Sequence, residues 1–97
     1  MSSKPVYSLE NWAAGGNRSL TLHGLRDDGK LVYTSTVIRT RGRMVETRNS
    51  FYKLIGPPTP DYVRFCEEEG LTIDYEWPIK IFTGGVLQEI PLEDCPE

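Results

Sequence analysis

Four arginines, Arg39, Arg41, Arg43 and Arg48, fall within ten consecutive positions, and Lys53 follows shortly after. A guanidinium is planar, permanently charged and forked, so it matches carboxylate and phosphate oxygens. A spacing of two places Arg39, Arg41 and Arg43 on one side of an extended chain, as a local positive ridge. That ridge could dock a protein partner, grip the phosphates of a nucleic acid, pair with acids of this chain such as Glu67, Glu68 and Glu69, or face water. As a docking surface, with Arg48 and Lys53 beside it, the ridge should tolerate charge reversal without loss of folding.

Other side chains with chemical potential are few. His23 is the single histidine, and Cys66 and Cys95 lie far from it, so no spacing resembles a structural zinc site. A catalytic histidine needs a nucleophile and an orienting acid, and His23 between Leu22 and Gly24 reads as a half-exposed strand residue. The Gly-Gly pairs at 15 and 84 lack the context of a phosphate-cradling loop. No catalytic residue, metal or cofactor is expected. The aromatics Trp12, Tyr33, Tyr52, Phe65 and Trp77 belong to the core or to an interface, where such rings dominate the energetics.

The elements that would carry these residues are mainly strands. Residues 6–11 alternate weakly and run through Trp12 into a small-residue connector at 13–17. Leu20, Leu22 and Gly24 begin a hairpin whose turn is Asp27, Asp28, Gly29 and Lys30, with residues 31–38 returning. A second hairpin pairs residues 44–48 with 51–55, and residues 39–43 connect the two. Gly56, Pro57 and Pro58 stop the sheet. Thr59, Pro60 and Asp61 start a helix over about residues 60–69, with Tyr62, Phe65 and Cys66 as its apolar stripe and Gly70 as its left-handed stop. Leu71, Ile73, Tyr75 and Trp77 alternate with polar residues, the strongest period-two pattern in the chain, continued by Ile79 and Ile81 past Pro78. Residues 86–90 offer a last strand. The expected fold is mainly β, a small antiparallel partly closed barrel or sandwich with one short helix. Residues 1–4 form a flexible tail, 5–92 one domain, and 93–97 an acidic tail.

Ninety-seven residues suit one core, and 38% hydrophobic with 26% charged residues is an ordinary globular balance. Without eighteen apolar residues in a row or a secretory leader pattern, a soluble chain with reduced thiols is expected, and Asn17-Arg18-Ser19 is a chance glycosylation match. The net charge of -3 is divided: up to Gly56 nine Lys and Arg face four acids, and from Pro57 onward two face ten. An overall pI near 5.2 weighs against nucleic acid as the partner. An uncovered sheet edge would offer a route to homo-oligomers.

Several of these positions follow a known order. Leu9 and Trp12 in SLENW, Gly24 in LHG, Tyr33, Ser35 and Ile38 in YTSTVI, then Thr47, Tyr52, Leu54 and Gly56, resemble the SANTA (SANT-associated) domain of the kinetochore-null and Mis-eighteen-binding proteins. The likeness spans most of the chain. At its end the chain keeps Phe82 and Gly84 in IFTGGVLQEIP but lacks the family's final tryptophan, and the stretch from Pro57 to Trp77 is longer. The resemblance implies a noncatalytic module, the N-terminal piece of a longer nuclear protein. That protein would help deposit or maintain the centromere-specific histone variant by binding other proteins on chromatin.

Overall fold

A computed structural model describes residues 4–15, 19–79 and 88–96. Seven strands form one sheet: β1 Val6–Gly15, β2 Thr21–Arg26, β3 Leu31–Tyr33, β4 Val37–Arg41, β5 Met44–Thr47, β6 Phe51–Ile55 and β7 Gln88–Glu89. Their order is β3-β2-β1-β6-β5-β4-β7. The fold is mainly β with one short helix, as expected, although the pairing is mixed. β1 runs parallel to β6 and β4 parallel to β7, while the other pairs are antiparallel.

Connection length dictates the curvature. Four strands lie between β3 and β4 in the sheet, which in a flat sheet would hold them about 24 Å apart. Residues 34–36 alone join β3 to β4, a reach of at most about 14 Å. The sheet must therefore curl until its ends approach, and a hydrogen bond at the seam records this. Val37 N–H, at the start of β4, donates to Leu20 O beside β2 at 2.8 Å. The result is a partly closed barrel with β3 and β7 as its edges.

The expected single return strand over 31–38 is thus two strands. Thr34 breaks it: its Oγ1 accepts from Leu22 N–H at 2.9 Å and donates to Ser35 O, so a side chain takes over a ladder position. Residues 39–43, expected as a connector, contribute the end of β4 and a tight turn at Gly42, whose φ is 58°. The turn at Asp28 and Gly29 forms as expected. Gly29 N–H closes on Arg26 O, and the hydrogen bond from Arg26, with a second from Lys30 N–H, holds the Asp28 carboxyl down at about 2.

β1 is longer than its pattern, taking in Ala13, Ala14 and Gly15 rather than ending in a connector. A bulge makes this work: the register slips between Glu10 and Ala13 opposite Gly24, and Asn11 adopts a φ of 47°. Gly24 is required there, since a Cβ would sit 2.7 Å from Glu10 O. The bulge turns Trp12 fully into the core with Leu9, Leu22, Val37, Val45, Tyr52, Leu54 and Ile79.

Helix α1, Pro60–Glu68, packs Tyr62 and Cys66 into the same core. Thr59 Oγ1 accepts from Tyr62 N–H at 3.2 Å, Leu71 N–H returns to Cys66 O and Gly70 N–H to Glu67 O. Those two bonds, with Gly70 at a φ of 73°, end the helix as the sequence indicates. Phe65, however, leaves the expected buried stripe and is half exposed, because Tyr62 and Cys66 define the inward direction and Phe65 falls on the flank.

The strongest alternating segment is not a strand. Residues 71–77 are irregular, because Asp74 claims its neighbours: its Oδ1 accepts from Glu76 N–H at 2.9 Å and its carbonyl accepts from Trp77 N–H at 3.0 Å. Its continuation is not a strand at Ile79, which is buried in a short helical turn with Pro78, and Ile81 lies outside the described residues; of the expected strand at 86–90, residues 88–89 form β7 and 86–87 lie outside the described residues. The tails are more engaged than expected. Lys4 donates to Glu46 and to Thr47 O, and Ile90 and Cys95 pack on Met44 and Phe51 as a second small cluster. Among the described residues no helix is long and apolar enough to cross a membrane.

Replacing Trp12 with Ala should cost about 3–5 kcal/mol, and Gly24→Ala about 1–3 kcal/mol through its clash with β1. Urea unfolding midpoints measure both. A Trp12→Ala midpoint equal to the parent's would mean that the indole carries none of the core.

Candidate functional site

The arginine ridge is in large part turned to internal use. On β4, Arg39 and Arg41 flank the buried Thr40, and Arg43 lies in the turn that follows. Arg39 Nε meets Glu46 Oε1 at 2.5 Å, and its Nη1 approaches Asp94 at 3.6 Å. Arg41 Nε donates to Ile90 O at 2.5 Å and its Nη2 pairs with Glu89 at 3.2 Å. Arg43 spreads all three of its nitrogens over backbone carbonyls: Nε on Leu54 at 2.7 Å, Nη1 on Tyr75 and Nη2 on Gly56. These guanidiniums fasten the acidic C-terminal half to the sheet, and none reaches Glu67, Glu68 or Glu69. Arg48 and Lys53 are exposed, with no ion pair among the described residues.

Glu46 is the anchor of this arrangement. It is 3% exposed, facing Lys4 at 2.6 Å and Arg39 at 2.5 Å. Burial opposes its ionisation, but the hydrogen bonds from Arg39 and Lys4 outweigh that and hold its carboxyl below the ordinary range.

A different surface is shaped to receive something. A groove of about 550 Å³ runs between α1 and the β1–β2 face, lined by Ala13, Ala14, Gly15, His23, Tyr62 and Phe65, with Thr59 and Asp61 at the start of the helix. Ala13, His23 and Tyr33 are cross-strand neighbours in one row of the sheet. Exposure rises along the row: Ala13 is buried, His23 half-buried, and Tyr33 75% exposed. The His23 and Tyr33 rings lie 5.4 Å apart between centroids. The small residues at 13–15 leave the groove open on the side of the strand. Trp-Ala-Ala-Gly carried that signal, but without the bulge it reads as a connector.

Among the described residues His23 has no hydrogen bond or ion pair, and its one ring contact is Tyr33. Tyr62 Oη is buried without a hydrogen-bond partner; the Cys66 thiol lies near it outside bonding geometry, and burial holds the phenol well above its ordinary pKa. Of the other aromatics, Tyr52 is buried against Tyr7 at 5.7 Å, and Trp77 is half-buried with its Nε1 enclosed and unbonded.

Because its folded pKa lies below the unfolded one, Glu46 stabilises the protein fully above the unfolded carboxyl range near 4.3. That contribution disappears as pH falls through the lowered folded value. Glu46→Gln should cost about 3 kcal/mol at pH 7 and lose less Tm than the parent between pH 5 and pH 3. Charge reversal of Arg39, Arg41 and Arg43 together should destabilise the fold, the opposite of what a free docking ridge requires. Thermal unfolding across pH measures both effects.

No family model matches the chain, and no curated protein or solved structure matches it either.

Proposed function

We propose that the chain is a noncatalytic protein-interaction module that works in centromeric chromatin assembly, supporting deposition or maintenance of the centromere-specific histone variant in the nucleus. The observation that carries the interaction reading is the groove between α1 and β1–β2. It is concave, largely apolar, flanked by exposed rings and without a paired nucleophile or base. The centromeric setting is supported by the SANTA resemblance alone. Of the residues that carry it, Leu9, Trp12, Gly24, Leu54 and Gly56 lie in one part of the fold, whereas Tyr33 and Ile38 are exposed. Trp12 Nε1 donates to Gly56 O at 3.0 Å, and a Cβ on Gly24 would touch Leu9 and Trp12.

A second reading has one observation in its favour. Arg41, Gly42, Arg43, Met44, Lys53 and Leu92 line a basic pocket of about 300 Å³, and Lys53 is exposed there. That pocket could take a phosphate of a nucleic acid.

Affinity capture from cells, with mass spectrometry of the bound proteins, separates the readings. The double variant Tyr33→Ser/Phe65→Ser should keep its melting point, since exposed positions shift stability by only about 0.5 kcal/mol. It should nevertheless lose the centromeric partners that the parent captures. Identical partner sets for parent and variant would overturn the groove as the interaction surface. Tight binding of duplex DNA at low salt, weakening steeply as salt rises, would favour the phosphate reading.

A further inference from the structure

The chemistry around the groove narrows what enters it, given that the groove is an interaction site. Two aromatic side chains line it, Phe65, 49% exposed on the α1 wall, and His23 on the sheet, and the exposed Tyr33 ring lies beside His23 at 5.4 Å and a 33° tilt. Aromatic faces are electronegative and attract cations. Elsewhere the chain satisfies its rings in this way, with Arg26 over Tyr7 at 4.7 Å and Lys4 over Phe51 at 5.8 Å. Among the described residues, Phe65, His23 and Tyr33 have no such cation.

The charges agree with the rings. Asp61 lines the groove, and at 100° per residue Phe65 and Glu68 share its stripe on α1. The Asp61–Arg64 pair at 3.2 Å is solvent-exposed on both sides and holds Asp61 only weakly. An anion would have to use the positive end of α1. There Pro60 has no N–H, Thr59 Oγ1 already accepts from Tyr62 N–H, and Asp61 repels it. The floor of Ala13, Ala14 and Gly15 is apolar, suited to a row of methylenes.

We propose that the groove receives a lysine side chain from an extended basic segment of a partner protein, its stem on Ala13, Ala14 and Gly15 and its ammonium between Phe65, the His23–Tyr33 pair and Asp61. A lysine carries a compact charge at the end of a flexible four-carbon stem that can lie along the apolar floor. This deepens the interaction-module reading and rests on it.

The test is an amide-resolved NMR titration of the whole chain with three capped peptides, Gly-Ala-Lys-Ala-Gly with the lysine free, trimethylated or acetylated on its side-chain nitrogen. Both cationic peptides should move the amides of Ala13, Ala14, Gly15, His23 and Phe65. The neutral acetylated peptide should bind about tenfold more weakly or not at all. Asp61→Asn and Phe65→Ala should each weaken the cationic peptides about threefold to thirtyfold while the remaining spectrum stays folded.

Equal binding of all three peptides, shifts confined to another surface, or no shift at millimolar peptide would overturn the proposal. So would concentration-dependent movement of the same amides without peptide, which would assign the groove to a second copy of the chain. If the Tyr33/Phe65 variant loses its partners while the lysine peptides fail, the ligand chemistry falls and the module stands. If the peptides bind while partner capture ignores the groove, the chemistry stands and the functional reading falls.

Discussion

Trp12 holds both ends of the link between the sheet and the helix, and the shape of the molecule follows from that clamp. Its indole N–H donates to Gly56 O, where β6 ends, and its carbonyl accepts from Thr59 N–H, where α1 is capped. The link between Gly56 and Thr59 contains two prolines and cannot supply these bonds by itself. With the link tied to β1, the helix has one place to begin, and the Trp12 and Tyr62 rings meet 6.0 Å apart. The bulge that turns Trp12 inward exists only because Gly24 opposite has no side chain. One glycine on β2 therefore decides where a helix more than thirty residues later can sit.

A second set of interactions closes the rest of the barrel. The basic first half and the acidic second half are joined by the Arg39–Asp94 and Arg41–Glu89 ion pairs and by arginine bonds to backbone carbonyls. Arg43 binds three carbonyls, those of Leu54 and Gly56 at the end of β6 and that of Tyr75 in the irregular stretch, and Arg41 binds Ile90 O beside β7. Carbonyls at strand ends and in loops lack ladder partners, and a forked donor can satisfy several at once. Glu46 does the equivalent work from the acceptor side, holding Lys4 and Arg39 at a nearly closed surface. Such a buried carboxylate is safe only while both partners remain, so this part of the fold depends on charge more than on apolar area.

Local chemistry was legible in the sequence, and long-range pairing was not. Asp28-Gly29, Thr59-Pro60 and Gly70 act within four or five residues of themselves, and each formed the turn or cap its type demands. The parallel pairing of β1 with β6 joins segments more than forty residues apart and leaves no periodic trace. Residues 71–77 failed for a related reason: alternation describes which side chains could share a face, but a strand also needs a neighbour with free ladder groups, and Asp74 folds the segment on itself first. The arginine ridge was expected on a connector, whereas Arg39 and Arg41 lie on β4 and Arg43 in the turn after it. Its occupation was invisible, because most of its acceptors are backbone carbonyls and every residue type has one.

The groove follows from the same economy of cover. A nine-residue helix is about 13 Å long, too short to shelter a curled sheet of this width. Its start is fixed by Trp12 and its end by Gly70, so it cannot extend to cover more. The row Ala13, His23, Tyr33 consequently passes from beneath α1 into solvent. Ala13 belongs to the core cluster with Trp12 and Tyr62, whereas Tyr33 at the edge strand is exposed. An isolated edge would be better protected by charge than by a tyrosine beside an exposed Leu31. Rings kept at the open end of a row whose other end is core are surface that folding does not need, and that makes them available for recognition.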